Sequence, residues 1–163
     1  MTLSKLQKKK NNTSSTYWKT KCDTAWGALI HAMYNVCAME NVDVTDPCAG
    51  NLEAHHLISR GRIVTRHSPE CGVLLCSKHH KFSKICSPHA SPIGFSRFME
   101  IHRPVQYAWV LEHLHDTQES RPNYKERLVE LEYLLHSTTC VSRYANDDKW
   151  KEICDAASAA EAD

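Results

Sequence analysis

LEAHHLISRGRIVTRHSPECGVLLCSKHHKFSKICSPH, residues 52–89, is the most informative stretch of this chain. It contains two His-His doublets and a further histidine near its end, with cysteines interspersed: His55-His56, His79-His80, His89, Cys71, Cys76 and Cys86. Imidazole and thiolate are the ligands that a borderline-soft divalent metal prefers, and few other requirements place so many in one short segment. Because successive side chains of a strand point to opposite faces, one histidine of a doublet can bind a metal while its neighbour has another task.

The length of 163 residues and the hydrophobic content of 42% indicate one domain with a modest core. The net charge of +1 hides an asymmetry, because residues 1–22 contain six lysines and no acid. We expect residues 1–15 to form a basic disordered arm, which either attracts phosphate or keeps the chain soluble. The sequence has no apolar run long enough to span a membrane and no secretory signal, so we expect a cytoplasmic protein with reduced cysteines.

Hydrophobic periodicity predicts an α+β domain. Apolar residues recur every three or four positions from Tyr17 to Asn35, which indicates an amphipathic helix. Two antiparallel strands, Leu52–Ile58 and Gly72–Cys76, and a short helix beginning near Ser77 would form a ββα unit. Further helices are predicted over Ile93–Ile101, Pro104–His115, Tyr124–His136 and Asp147–Ala160. The third of these could pack within the chain or form a dimer seam, so the oligomeric state stays open.

Three motifs, AHHLISR, CGVLLCSKHH and SPHASPIGF, occur in the order and spacing of a known family. They resemble the HNH endonucleases, the ββα-metal nucleases, and most strongly the phage-encoded branch. The similarity runs from Cys37 to Phe98, and the upstream KTKCDTAW also resembles what precedes the motif in that branch. The resemblance implies a ββα-metal core with an N-terminal helix and several C-terminal helices. Residues 16–103 would be the HNH nuclease domain and residues 104–163 a C-terminal helical extension.

The resemblance implies a metal-dependent enzyme that hydrolyses DNA phosphodiester bonds, in phage or mobile-element DNA processing or recombination inside a bacterial host cell. His55, His80 and His89 would hold one divalent ion, which could be zinc, manganese, magnesium or nickel. His56 would be the general base, a task that suits a neutral imidazole. A cation with open positions would contact the scissile phosphate and the leaving oxygen. The three ligands could instead form a structural zinc site, and His56 could be a packing residue.

A second, structural zinc could be held by Cys37, Cys48, Cys76 and His79. Cys76 and His79 form a C-x-x-H half-site where relatives often have C-x-x-C. The matching upstream pair is reduced to Cys37, for which the nearby Cys48 could supply the second thiol. These residues could equally be small buried hydrophobes.

Cys71 is the main departure from the family, which has its namesake Asn at this position. That Asn normally bonds backbone across the loop and holds the general base. A thiol cannot reproduce the paired hydrogen bonds of an amide, so either the loop is held in another way or activity is reduced. Cys71 could also be a zinc ligand in place of Cys37 or Cys48.

The loop between the strands is basic, and Arg60, Arg62 and Arg66 are predicted to contact DNA phosphates that flank the metal. The same arginines could instead form a solvated loop. Glu53 either orients an imidazole or is an exposed strand residue. Histidines outside the motifs are expected at the surface or in packing: His67, His102, His113, His115 and His136.

Two alternatives to a nuclease remain open. One is a catalytically impaired, zinc-stabilised module that binds nucleic acid or protein, which the cysteine at position 71 favours. The other is an inhibitor of a host defence system that has the same fold.

Overall fold

The computed structural model of the chain describes residues 15–42, 46–117 and 122–138. Its elements are α1 (Ser15–Met33), β1 (Leu52–His56), a 3-10 turn (Pro69–Cys71), β2 (Gly72–Cys76), a π-helical turn (Lys78–Phe82), α2 (Pro92–His102), α3 (Pro104–His113) and α4 (Tyr124–Ser137). The predicted α+β class is confirmed, with a two-stranded antiparallel sheet and several helices. The predicted arm, apart from Ser15, and the helix predicted over 147–160 lie outside the described residues.

The hairpin of β1 and β2 separates two hydrophobic clusters. All five residues of β2 are buried, because alternate side chains enter the cluster on either face. Leu74 packs with α1 and α4, whereas Val73 and Leu75 pack with α2. In β1, His55 pairs with Val73 and His56 pairs with Gly72, so the two histidines lie on opposite faces of the hairpin.

α1 is amphipathic, and five of its apolar residues at helical spacing are buried: Cys22, Trp26, Leu29, Ile30 and Met33. It packs mainly against α4, whose first turn is capped by the side chain of Asn123, which accepts a hydrogen bond from the backbone N–H of Lys125. α2 and α3 both have proline in the first turn, where the missing N–H costs nothing.

Gly72 allows α1 to approach the hairpin closely. A Cβ at this position would lie 2.2 Å from Ile30 Cδ1 and 2.9 Å from Trp26 Cζ2. Because Gly72 pairs with His56, this close approach brings Trp26 onto the face of the hairpin that carries the His56 ring.

The short helix predicted to begin near Ser77 is a π-helical turn, closed by a hydrogen bond from Ser83 N to Lys78 O. π turns occur mostly as single turns and frequently at functional sites. Here the turn carries His79 and His80, which enter different side-chain clusters. None of the helices in the described residues has the length and apolar character required to cross a bilayer.

Candidate metal centres and the environment of His56

Three histidine side chains meet beside the hairpin on the face that α2 covers. The Nδ1 atom of His55 lies 2.9 Å from Nε2 of His80, which lies 3.3 Å from Nε2 of His89. His55 and His80 are half-buried, whereas His89 is exposed. The cluster is therefore open to solvent on the side of His89, and its nitrogen atoms could hold a metal ion.

Three different elements supply these ligands. His55 comes from β1, His80 from the π-helical turn and His89 from the tight turn that precedes α2. Ser87 joins the last two, because its hydroxyl donates to the carbonyl of His80 at 3.2 Å and accepts the backbone N–H groups of His89 and Ala90. The turn that presents His89 is thus tied to the turn that presents His80.

Glu53 determines which ring nitrogen of His80 carries the proton. Its Oε2 atom lies 2.7 Å from Nδ1 of His80, so Nδ1 donates and Nε2 keeps its lone pair toward the other two histidines. Lys81 at 2.6 Å and His80 hold the pKa of Glu53 at about 2, so the carboxylate is ionised at neutral pH. A carboxylate behind a ligating imidazole is the common way to orient the ring in metal sites.

The nitrogen positions fit a divalent ion. Burial, together with the neighbouring His80 and His89, lowers the pKa of His55 to about 3, and burial also lowers that of His80. Both rings are therefore neutral at pH 7, with lone pairs available to a metal. Around a tetrahedral zinc with Zn–N bonds of about 2.0–2.1 Å, two nitrogens lie about 3.3 Å apart, close to the separations seen here.

A second cluster brings three thiols around one imidazole nitrogen. The Sγ atoms of Cys37, Cys48 and Cys76 lie 3.6, 3.5 and 3.2 Å from Nδ1 of His79. A single Nδ1 atom can donate or accept one hydrogen bond, whereas three sulfur atoms surround it here. The arrangement therefore matches the ligands of a metal ion better than a set of hydrogen bonds. Sulfur and nitrogen ligands of tetrahedral zinc are separated by about 3.5 Å, and this cluster could hold a metal ion such as zinc.

The thiol cluster is assembled by backbone contacts between distant segments. The residue after Cys37 donates its N–H to Leu74 O, which ties this segment to β2. The segment that carries Cys48 is bound to the start of the π-helical turn, because Lys78 N donates to Ala49 O and Ser77 N to Asn51 O.

The thiol cluster offers four potential ligands, the number that a tetrahedral metal ion needs, whereas the three-histidine cluster offers three. Cys37, Cys76 and His79 are buried, and only Cys48 is exposed. Burial raises the pKa values of Cys37 and Cys48, whereas the backbone N–H of His79 helps to lower that of Cys76 against burial. The backbone N–H of His79 donates to the Cys76 sulfur at 3.5 Å, a contact that stabilises a thiolate.

His56 lies on the other face of β1, against α1. Its ring stacks on Trp26 with centroids 3.7 Å apart and planes inclined by 22°. Nε2 lies 2.8 Å from the carbonyl oxygen of Arg66, so Nε2 carries the proton and Nδ1 is the acceptor nitrogen. Burial lowers the pKa of His56 to about 4, and the ring is neutral at pH 7.

Cys71 bridges the two ends of the loop. Its carbonyl accepts the N–H of Leu57 at 2.8 Å, and its thiol lies 3.4 Å from Ile58 N and 3.8 Å from Ile58 O. A thiol cannot reproduce the paired hydrogen bonds of an amide, but the Cys71 thiol makes one long contact with the N–H and one with the carbonyl of Ile58. Burial raises its pKa to about 11, and Cys71 lies in neither metal-ligand cluster of the described residues.

Gln106 supplies an amide at the same place, and the sequence pattern did not reveal it. Its fully buried Nε2 donates to Glu70 O at 2.9 Å and to Gly72 O at 2.8 Å, on either side of Cys71. The loop is therefore held by a thiol from within and by an amide from α3.

The three arginines of the loop have different surroundings. The Arg60 side chain is 60% exposed and Arg62 is half-exposed, so both can reach a phosphate. Arg66 is buried, with Nε and Nη2 at 2.7 and 2.9 Å from the carboxylate of Asp23 and Nη1 on the carbonyl of Arg60. The phosphate contact predicted for Arg66 therefore does not fit its position. His67 also contacts Asp23, at 2.9 Å, and is a buried partner in this network.

No family model matches the chain, and no significant match to it was found among curated proteins or solved structures.

Proposed function

We propose that the chain is a metal-dependent DNA endonuclease of the HNH type. The observation that supports this best is the division of one doublet into two chemical environments. His55 joins the imidazoles of His80 and His89 in an open cluster that fits a divalent ion. His56, on the opposite face, is a neutral ring whose Nε2–H donates a hydrogen bond to a backbone carbonyl. A metal site and a base on one strand are what phosphodiester hydrolysis requires.

The residues would share the chemistry as follows. His55, His80 and His89 would hold a divalent ion, which would supply positive charge near the scissile phosphate and the departing 3′ oxygen. Nδ1 of His56 takes a proton from the attacking water, which makes the ring cationic. The Arg66 carbonyl then faces a stronger donor at Nε2, and the stacked Trp26 ring stabilises the cation through its π face.

Arg60 and Arg62 are suited to bind the DNA backbone. Both lie in the loop that follows His56, and neither is fully buried. Contacts from arginine to phosphate position the duplex without reading its sequence. Hydrolysis would leave a 5′ phosphate and a 3′ hydroxyl, as in the family that the motifs resemble, and phage or mobile-element DNA is the proposed substrate.

The thiol cluster would have a different task. A zinc bound by Cys37, Cys48, Cys76 and His79 would have a full tetrahedral ligand set, which is typical of structural sites. Because His79 and His80 are adjacent in the π-helical turn, such a site would also hold the catalytic ligand in place.

Substitution of His56 by alanine tests the proposed base. Plasmid and branched DNA are incubated with each protein and Mg²⁺, Mn²⁺, Ni²⁺ or Zn²⁺, and the cleavage rate, metal content and DNA affinity are measured. We expect His56→Ala to cut about 10²- to 10⁴-fold more slowly while it keeps its metal and its DNA affinity. His31→Ala, an exposed histidine on α1, is the control and should cut like the unmodified protein.

Equal cutting by His56→Ala and the unmodified protein would exclude His56 as the base. If the unmodified protein binds DNA and zinc but cuts no substrate with any of the four metals, the alternative of a zinc-stabilised binding module is correct. The closed thiol cluster is the feature that favours this alternative.

A further inference from the structure

Asp23 is the centre of a charged network and has no task of its own in the proposed mechanism. It lies on α1 with its side chain 19% exposed. Its carboxylate accepts two hydrogen bonds from the Arg66 guanidinium and one from His67 Nε2, and Arg60 Nη2 lies 3.5 Å away. Burial opposes ionisation, but the hydrogen bonds from Arg66 and His67 lower the pKa of Asp23 to about 2.

The network leads directly to His56. Arg66 contributes its side chain to Asp23 and its carbonyl oxygen to His56 Nε2, at 2.8 Å. A fork of two hydrogen bonds, at 2.7 and 2.9 Å, fixes the guanidinium more strictly than a single bond could. Because Asp23 binds two consecutive residues, Arg66 and His67, it restrains the backbone segment whose carbonyl sets the tautomer of His56.

α1 holds the ring from a second direction. Trp26, nearly one turn after Asp23, stacks on the imidazole, and its indole N–H donates to Ser68 O at 2.9 Å. One face of α1 therefore contacts the ring of His56 through Trp26 and the segment that supplies its acceptor through Asp23. These contacts determine both the plane and the tautomer of the ring.

We propose that Asp23 is a positioning residue that anchors Arg66 and thereby holds His56 in the Nε2–H tautomer, with Nδ1 presented to water. The catalytic consequence rests on the proposed function of His56 as the base. In water the two neutral tautomers of histidine interconvert freely, and only the Nε2–H form leaves Nδ1 able to accept a proton. Without the contact from Asp23, the His56 ring would populate both tautomers and more than one orientation. A displacement of about 1 Å can lower the rate of a reaction about 100-fold.

The test compares Asp23→Ala and Asp23→Glu with Glu112→Gln, which removes an exposed carboxylate from α3. Cleavage of duplex DNA gives kcat and KM, and ¹⁵N NMR of histidine-labelled protein reports which nitrogen of each ring carries the proton. The His56 signals are assigned from their loss in His56→Ala. We expect Asp23→Ala to lower kcat about 10- to 100-fold with little change in KM and to show mixed tautomers. Asp23→Glu should recover part of kcat, and Glu112→Gln should match the unmodified protein.

A folded Asp23→Ala variant with a single Nε2–H tautomer would overturn the positioning role, whatever its rate. If Asp23→Ala does not fold, as judged by circular dichroism, Arg66→Lys takes its place, because lysine cannot form the two-bonded fork. The NMR measurement does not need a substrate. If the unmodified protein cuts no DNA and Asp23→Ala still mixes the tautomers, the positioning role stands and the nuclease proposal alone fails.

Discussion

His55 and His56 are covalent neighbours whose nitrogens face different partners. Nδ1 of His55 faces Nε2 of His80, whereas Nε2 of His56 donates to a backbone carbonyl. Burial lowers the pKa values of the two rings to about 3 and about 4, so both are neutral at pH 7. The two rings therefore have the same charge and differ in the direction of their nitrogen lone pairs. They point in different directions because successive side chains of a strand lie on opposite faces.

Substitution of Glu53 by glutamine should weaken metal binding at the three-histidine cluster. The carboxylate accepts a hydrogen bond from His80 Nδ1–H at 2.7 Å and so keeps Nε2 free for a metal. A neutral amide is a poorer acceptor and can also present its NH₂ group, which would favour the wrong tautomer. We expect Mn²⁺ affinity to fall about 10- to 100-fold, measured by electron paramagnetic resonance with zinc in the thiol cluster.

Glu100→Gln is the matched control, because Glu100 is an exposed carboxylate of α2. It should bind Mn²⁺ as the unmodified protein does. Undiminished affinity in Glu53→Gln would mean that the contact with Glu53 does not orient His80 for a metal.

At the scale of single elements, much of the architecture follows from local patterns. α1 was predicted over 17–35 and spans Ser15–Met33, and β2 lies at its predicted bounds. The π-helical turn was predicted only as a short helix, because a run of five residues has too few apolar positions to define its period.

Gly72→Ala tests the contact between α1 and β2. The new Cβ would lie 2.2 Å from Ile30 Cδ1 and 2.6 Å from its Cγ1, so Ile30 would have to move within a filled core. We expect the free energy of unfolding to fall by about 1–3 kcal/mol, measured by urea denaturation. The displaced helix should also loosen the stacking of Trp26 on His56.

The matched control is Gly27→Ala on α1, where an added Cβ meets nothing within 4 Å. Alanine should stabilise this helix by about 0.5–1 kcal/mol, the opposite sign. The double variant Gly72→Ala/Ile30→Ala should be more stable than the sum of its single changes indicates, because the clash is removed. Strict additivity would show that Ile30 is not what opposes a side chain at position 72.

At the scale of the whole molecule, the residues that support the site come from distant segments. Asp23 contacts Arg66 across 43 positions, and Gln106 reaches Glu70 O across 36. A carboxylate on a helix and an amide on another are ordinary surface residues in a sequence, so nothing local marks them as buried partners. The candidate metal ligands could be predicted because metal binding favours a few residue types, whereas the residues that hold the loop depend on the completed fold.

Zinc bound at the thiol cluster, as proposed above, should stabilise the entire domain, because the cluster joins the segment after α1 to β2 and to the π-helical turn. A site that is specific to the folded state and saturated at about 1,000 times its dissociation constant contributes about 4 kcal/mol. We expect a chelator to lower the free energy of unfolding by about this amount. The measurement uses a His89→Ala background, so that the three-histidine cluster contributes little to the difference with and without zinc.

Cys48→Ala and Cys86→Ala distinguish ligation from packing. Both remove a thiol, but only Cys48 belongs to the cluster, whereas Cys86 is buried beside Phe95 and Phe98 in the core. Cys48→Ala should lose most of the stability difference between zinc-loaded and chelated protein. Cys86→Ala should be less stable in both forms and keep that difference, because the lost packing is present with or without metal. A zinc-dependent difference that survives in Cys48→Ala would mean that the exposed thiol is not a ligand. The cluster would then rely on Cys37, Cys76 and His79 with a fourth position open to solvent.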